Sequence, residues 1–298
     1  MSKELRGAMT AIVTPFGADG SVDQSALEAI VRWQVKQGIH GLVPCGTTGE
    51  GATLDDDEHR LVVETVVRTV EGRVPVVAGC GSNDTRRTVA AAARAAGAGA
   101  DALLVVTPYY NKPNRSGMLA HFQAIADAVE LPIVAYNVPG RTGQNLTADQ
   151  ILELASIPGI VGIKEASADL QQIAAVIADR PDGFLVFSGD DPLALPTVAL
   201  GAEGVISVVA NEAPGEMAAL MDAALAGDFA RARELHYRLR PLMEGNFIES
   251  NPVPVKTAMA LLGFCELRLR PPLGPPAEST RARIAELLNE IGLSKVER

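Results

Sequence analysis

Cysteine is scarce in this 298-residue chain: Cys45, Cys80 and Cys265 make an odd set with no CxxC spacing. That argues against a disulfide framework or a zinc knuckle and points to reduced thiols. Histidine is nearly as sparse, and His40, His59, His121 and His236 form no HxH or HExxH pair, so no metal centre is expected. Basic residues are outnumbered, with 26 Lys and Arg against 36 Asp and Glu, a net charge of −10. An acidic balance of that size disfavours nucleic acid or an anionic membrane surface as partner. No apolar run reaches the length of a membrane span, and the opening MSKELRGAMT lacks the basic, apolar and small-residue order of a secretory leader. A cytoplasmic protein is expected.

What is present is apolar rhythm. Hydrophobic residues make up 47% of the chain, enough to bury one large core or two modest ones. Short runs rich in Val, Ile, Leu and Ala alternate with longer amphipathic stretches, which is the pattern of βα repetition. The runs at 8–14, 41–45, 74–78, 102–107, 133–136, 161–164, 185–188 and 205–207 read as eight strands. Helices are expected at 24–37, 84–96, 116–129, 147–156, 169–179, 192–200 and 214–226. Another starts at Thr53-Leu54-Asp55-Asp56, where acids in the first turn precede an apolar stripe of Val62, Val63, Val66, Val67 and Val70. Eight strands each followed by a helix specify an α/β fold, the (β/α)8 TIM barrel, and continuously apolar strands suit a parallel sheet covered on its outer face. Beyond residue 227 only helical patterns remain, at 228–243, 254–262 and 277–291, with a Pro-rich stretch at 271–276. The expected organisation is a catalytic barrel over 1–227 and a C-terminal helical appendage over 228–298.

One lysine stands apart. Lys3, Lys36, Lys112 and Lys295 sit in polar or turn-rich surroundings and Lys256 in a Pro-punctuated helical stretch, whereas Lys164 closes the apolar run Ile160-Val161-Gly162-Ile163. Burial disfavours the ammonium and leaves a neutral amine nearer pH 7, one that can form a Schiff base with a carbonyl substrate. The competing account is a lysine that snorkels from a strand end to water.

Active sites of such barrels lie at the C-terminal strand ends, so the residues there can be read in order. Gly46-Thr47-Thr48-Gly49-Glu50 follows strand two, Tyr109-Tyr110-Asn111 follows strand four, and strand five ends at Tyr136-Asn137 and runs on to Arg141. Lys164 ends strand six, Ser188-Gly189-Asp190 follows strand seven, and Ser207 ends strand eight. A Gly-bounded turn with hydroxyls can hold a carboxylate, although such a turn can equally be an ordinary connection. Tyr136 suits a general acid and base for carbinolamine chemistry, or else a core aromatic. Arg141 suits bidentate binding of a carboxylate, or else is a loop charge. Asp190 and Asp191 stand where phosphate-binding barrels hold phosphate, so an unphosphorylated keto acid is the indicated substrate.

These residues carry a resemblance. GTTGE (46–50), VTPYYNKP (106–113), YNVPGRTG (136–143), GIKEAS (162–167), SGDD (188–191), GVISV (204–208) and NPVPVK (251–256) fall in the order found in the Schiff-base keto-acid lyases and synthases typified by N-acetylneuraminate lyase and dihydrodipicolinate synthase. The chain resembles the second branch more closely, over nearly its whole length.

The resemblance implies that Lys164 forms the imine with pyruvate, that Thr48 holds the pyruvate carboxylate, and that Thr47 and Tyr136 form a hydroxyl relay. Tyr110 matches a tyrosine that enters the relay from a neighbouring subunit, so at least a dimer, and by family a tetramer built from two dimers, is expected. Arg141 matches the residue that receives the carboxylate of L-aspartate-4-semialdehyde, and Gly189 and Ile206 match pocket-lining positions. No cofactor is implied, because the imine itself is the electron sink. The implied product is 4-hydroxy-tetrahydrodipicolinate, on the route to diaminopimelate and lysine. An N-acetylneuraminate lyase-like aldolase or a keto-sugar-acid dehydratase is the alternative, and a non-catalytic metabolite-binding barrel a more distant one.

The chain also departs from the family pattern. Gly51 stands where many members carry serine. In the cleft where lysine inhibits some members, His59, Asn83 and Tyr109 match, but Asp56 and Arg87 stand in place of a histidine and a glutamate. Weak or absent inhibition by lysine is expected, since an arginine repels the lysine ammonium, with Asp56 offsetting part of the repulsion.

Overall fold

The computed structural model describes residues 3–295. Its eight strands are β1 (Gly7–Ala11), β2 (Gly41–Val43), β3 (Val77–Gly79), β4 (Ala102–Val106), β5 (Ile133–Asn137), β6 (Ile160–Glu165), β7 (Leu185–Ser188) and β8 (Gly204–Ser207). They pair in parallel in the order β2-β1-β8-β7-β6-β5-β4-β3. The two ends of that order meet through a parallel bridge between Leu42 and Val76, with Leu42 N–H donating to Pro75 O at 3.0 Å and Gly79 N–H to Pro44 O at 2.9 Å. The sheet therefore closes on itself as a (β/α)8 barrel.

Alternation along each strand separates two cores. Met9, Ala11, Val43, Val77, Ala102, Leu104, Val134, Tyr136, Phe187 and Ile206 pack together inside the barrel. Their neighbours, such as Ala8, Leu42, Val76, Leu103, Ile133, Ile163, Val186 and Val205, join the larger core under the helices. The strand period of two makes this division, and it turns Lys164 inward because Ile163 faces out.

The helices are α1 (Gln24–Lys36), α2 (Asp56–Val70), α3 (Thr85–Gly97), α4 (Arg115–Ala126), the short α5 (Pro139–Thr142), α6 (Ala148–Leu154), α7 (Leu170–Asp179), α8 (Ala194–Ala199), α9 (Pro214–Leu225), α10 (Phe229–Gly245), α11 (Val253–Leu261) and α12 (Glu278–Glu290). At the start of α2 the Asp55 carboxylate accepts from Asp57 and Glu58 N–H, and the Glu58 carboxylate accepts from Asp55 N–H, a reciprocal cap. The stripe expected on α2 faces inward, with Val62, Val63, Val66 and Val70 buried. No helix among the described residues is long and apolar enough to cross a membrane.

Several strands are shorter than their apolar runs. The run at 8–14 leaves the ladder after Ala11, because Val13 N–H turns to the side chain of Asn211, donating to Oδ1 at 3.0 Å. The run at 41–45 stops at Val43, since Cys45 takes a left-handed backbone with φ of 58°. β3 begins at Val77 rather than at Val74, with Pro75, which has no N–H to give, ahead of it.

Candidate active site

Lys164 and Tyr136 are register partners on β6 and β5, so adjacent strands carry the amine and the phenol side by side. The Lys164 Nζ lies 4.3 Å from the centre of the Tyr136 ring. Burial is the main cause that brings the Lys164 pKa down from 10.5 to about 8, and Asp191 and Asp190 hold it from falling further. Arg141 adds a smaller push in the lowering direction. Burial also raises the Tyr136 phenol well above its ordinary value, with the Arg141 charge opposing. The Thr47 side chain opposes that rise as well.

Behind the amine the acids are individually accounted for. Asp191, fully buried, accepts at Oδ2 from Val208 N–H and Val209 N–H, both at 3.0 Å, and burial raises its pKa. Glu165, next to the lysine on β6, accepts from Asn137 Nδ2, Gln172 Nε2 and Ser167 N–H, which anchors the strand end. Gly189 on the turn after β7 has no room for a side chain: a Cβ there would stand 3.2 Å from Lys164 Cε and 2.6 Å from Ala166 Cβ. The lysine stem occupies that space. Ile206 on β8 is fully buried in the inner core.

The loop after β2 holds the two threonines differently. Thr47 is exposed and Thr48 is buried, with its Oγ1 accepting from Asn251 Nδ2 at 3.0 Å. Gly51 closes the turn by donating its N–H to Gly46 O, and a Cβ at this position would lie 2.1 Å from Cys45 O, so the loop in this form excludes the serine of other members. Arg141, on α5, donates from Nη2 to the Asn251 carbonyl at 3.0 Å. Tyr110 does not join the group within this chain. It is 88% exposed on a left-handed backbone with φ of 71°.

The five residues that the resemblance aligned with an inhibitory cleft are placed as follows. His59 is buried, with Nε2 2.8 Å from Gly79 O, and burial lowers its pKa. The Asn83 carbonyl accepts from Asn111 Nδ2, and Tyr109 is at the surface. Asp56 does not offset Arg87 as expected: it pairs with Arg94 at 2.7 Å, across from α2 to α3. Arg87 is exposed, its N–H capped by Asp84 Oδ1.

A second correction concerns Lys256. The sequence singles out Lys164 as the one buried lysine, yet Lys256 on α11 is 0% exposed. Burial lowers its pKa, and partners around the amine oppose that: Glu50 Oε1 at 2.5 Å, Arg268 O at 2.8 Å and the Phe16 ring centre at 4.1 Å. Glu50 Oε2 in turn accepts from Arg270 N–H. Asn251, Lys256 and Arg270 are therefore functional-site neighbours that the order of strand ends could not reveal. The signal present was the NPVPVK motif, which stands 203 residues away from Thr48 in the chain.

The arrangement is a buried amine with a lowered pKa beside a phenol, with the buried Thr48 hydroxyl and the Arg141 guanidinium both bound to Asn251. It suits imine formation on a small keto acid. The model of the dihydrodipicolinate synthetase family matches residues 4–291. The 4-hydroxy-tetrahydrodipicolinate synthase of Maridesulfovibrio salexigens is 48% identical over 289 residues, 97% of this chain and 99% of that one. The crystal structure of the chloride-inhibited dihydrodipicolinate synthase of Acinetobacter baumannii complexed with pyruvate superposes with a TM-score of 0.96 at 43% identity, over 97% of this chain and 100% of that one. A monomeric dihydrodipicolinate synthase variant superposes with a TM-score of 0.95 at 41% identity, over 97% of each chain. With a match that runs nearly from end to end, the chain belongs to the dihydrodipicolinate synthetase family.

Proposed function

We infer that this chain condenses pyruvate with L-aspartate-4-semialdehyde to give 4-hydroxy-tetrahydrodipicolinate, in the biosynthesis of diaminopimelate and lysine. The observation that carries this reading is the buried Lys164 amine, brought down to about pKa 8, beside its register partner Tyr136.

The neutral Lys164 amine adds to the ketone of pyruvate, and the carbinolamine loses water to become the protonated imine. Tyr136, with Thr47, gives and takes the protons of these steps. The protonated imine withdraws electrons from the methyl carbon, which loses a proton to form the enamine. That carbon attacks the aldehyde, and the aldehyde oxygen takes a proton to become the hydroxyl of the product. The amino group of the second substrate then attacks the imine carbon, closes the ring and expels Lys164 as the free amine. One water leaves overall. Thr48 holds the pyruvate carboxylate and Arg141 the carboxylate of the semialdehyde, while Gly189 and Ile206 shape the pocket.

The relay is completed between chains in this reading: an exposed Tyr110 reaches the site of a neighbouring subunit, so the working form is at least a dimer, and a dimer of dimers by family. Residues 1–227 are assigned to the catalytic barrel and 228–298 to the helical appendage, with 1–2 and 296–298 lying outside the described residues. A cytoplasmic location accords with cysteines that form no disulfide among the described residues and with a biosynthetic role.

A reductase-coupled assay with pyruvate and the semialdehyde, run beside N-acetylmannosamine as competing aldehyde, tests the reading. Turnover of the semialdehyde that is lost in Lys164→Ala is expected. Turnover of the sugar alone would move the chain to the lyase branch.

A further inference from the structure

The segment 251–256 takes no part in the chemistry above, yet it touches both carboxylate-binding groups. Asn251 is 5% exposed and lies just before α11, outside the barrel. Its side-chain Nδ2 donates to Thr48 Oγ1 at 3.0 Å. Its backbone carbonyl accepts from Arg141 Nη2 at 3.0 Å. We propose that Asn251 is a positioning residue that tunes the two substrate subsites separately: its side chain aims the Thr48 hydroxyl at the pyruvate carboxylate, and its backbone carbonyl orients the Arg141 guanidinium.

The physical argument starts from the hydroxyl. A threonine hydroxyl has one hydrogen to give and two lone pairs to receive. With the Asn251 amide donating into one lone pair, the Thr48 hydrogen is left for another acceptor, and the hydroxyl becomes a better donor through the chain of hydrogen bonds. Thr48 is 2% exposed, so little water competes for that hydrogen. An anionic carboxylate is the acceptor that gains most from it.

The segment that carries the amide is itself held in place. Five residues along the chain, Lys256 grips Glu50, which lies two residues after Thr48, and also the carbonyl of Arg268. The loop after β2 and the segment 251–256 are therefore joined at two points, and rotation of the loop away from Asn251 would break a fully buried ion pair.

This proposal rests on the imine reading, and the experiment separates the two. Wild type, Asn251→Asp and Asn251→Ala are compared as full chains by borohydride trapping of the pyruvate adduct over a pyruvate titration, by KM for each substrate and by thermal midpoint. An aspartate offers only acceptors, captures the Thr48 hydrogen and places a second anion near the substrate carboxylate. The pyruvate concentration for half-maximal trapping is expected to rise roughly tenfold or more in Asn251→Asp and by a smaller factor in Asn251→Ala, in line with loss of a hydrogen bond to a charged group. The KM for the semialdehyde is expected to stay within about twofold in both, because the backbone carbonyl that holds Arg141 is unchanged in each variant. If Asn251→Asp does not fold, the alanine variant carries the same comparison. Unchanged pyruvate saturation in a folded variant would overturn the proposal, as would a parallel rise in both KM values tracking the melting temperature. Absence of trapping in the wild type would overturn the imine reading itself, and this proposal with it.

Discussion

At the scale of the residue, Lys164 works by its surroundings more than by its identity. The same side chain occurs at Lys256, also buried and also lowered in pKa chiefly by desolvation, but there the amine is bound directly to the Glu50 carboxylate, which opposes the lowering. At Lys164 desolvation dominates over the raising influence of Asp191 and Asp190. The folded pKa of about 8 lies below the ordinary 10.5, so the neutral nucleophile gains population as pH rises. The kcat/KM for pyruvate is expected to climb with pH and level off above about 8, and a profile flat from pH 6 to 9 would contradict the assignment. Tyr136→Phe removes the proton carrier without removing the amine. Its kcat is expected to fall by about 10² to 10⁴, a range typical for loss of a general acid and base, while imine trapping with pyruvate, though slower, still goes to completion.

At the scale of the element, the loop after β2 is held by a stretch of chain from the far end of the sequence. Glu50 joins Lys256 of α11 to the backbone of Arg270, and the Arg270 guanidinium pairs with Glu58 of α2 and lies 4.2 Å from the Phe16 ring centre. Lys256→Met would leave the Glu50 carboxylate buried with only its Arg270 N–H partner. Loss of about 3–5 kcal/mol of unfolding free energy is expected, read from urea denaturation, because an uncompensated buried charge costs far more than an exposed one. A loss under about 1 kcal/mol would mean that water enters to solvate Glu50. The element scale is also where the reading from sequence was least accurate. Strand ends shifted by one to three residues because hydrogen bonds to side chains and left-handed residues end strands, and neither leaves an apolar signature. Val13, bonded to Asn211, and the φ of 58° at Cys45 are examples.

At the scale of the whole molecule, Tyr110 is the residue that a single chain leaves without a role. Light scattering combined with the coupled assay is expected to show an active species no smaller than a dimer, and Tyr110→Phe to lower kcat with little change in KM. A monomer retaining full activity would refute the shared relay. Regulation by lysine belongs to the same scale. At the five positions aligned with an inhibitory cleft, Arg87 is exposed, Asp56 is bound to Arg94 and the His59 Nε2 is engaged by Gly79 O, so none of them offers an unpaired carboxylate to an ammonium. Inhibition by lysine is expected to be weak. Near-complete inhibition in a sub-millimolar titration would overturn that expectation.

The sequence by itself determined the architecture and the chemistry. Short continuous apolar runs, each followed by a helical pattern, specify a barrel, and the barrel rule sends Thr47, Thr48, Tyr136, Arg141, Lys164 and Gly189 to one end, while Ile206 was named by the resemblance. These are local properties, carried by neighbours within a few positions. Only the tertiary structure showed that Lys256 is a strut: burial lowers the pKa of both lysines, but folding sets the Lys256 amine directly on Glu50 and the Arg268 carbonyl, whereas Asp191 and Asp190 act on Lys164 as nearby charges. Likewise Asn251 could be seen beside Thr48 and Arg141 only once the chain had closed over some two hundred residues, since no periodicity in a sequence encodes a hydrogen bond of that reach.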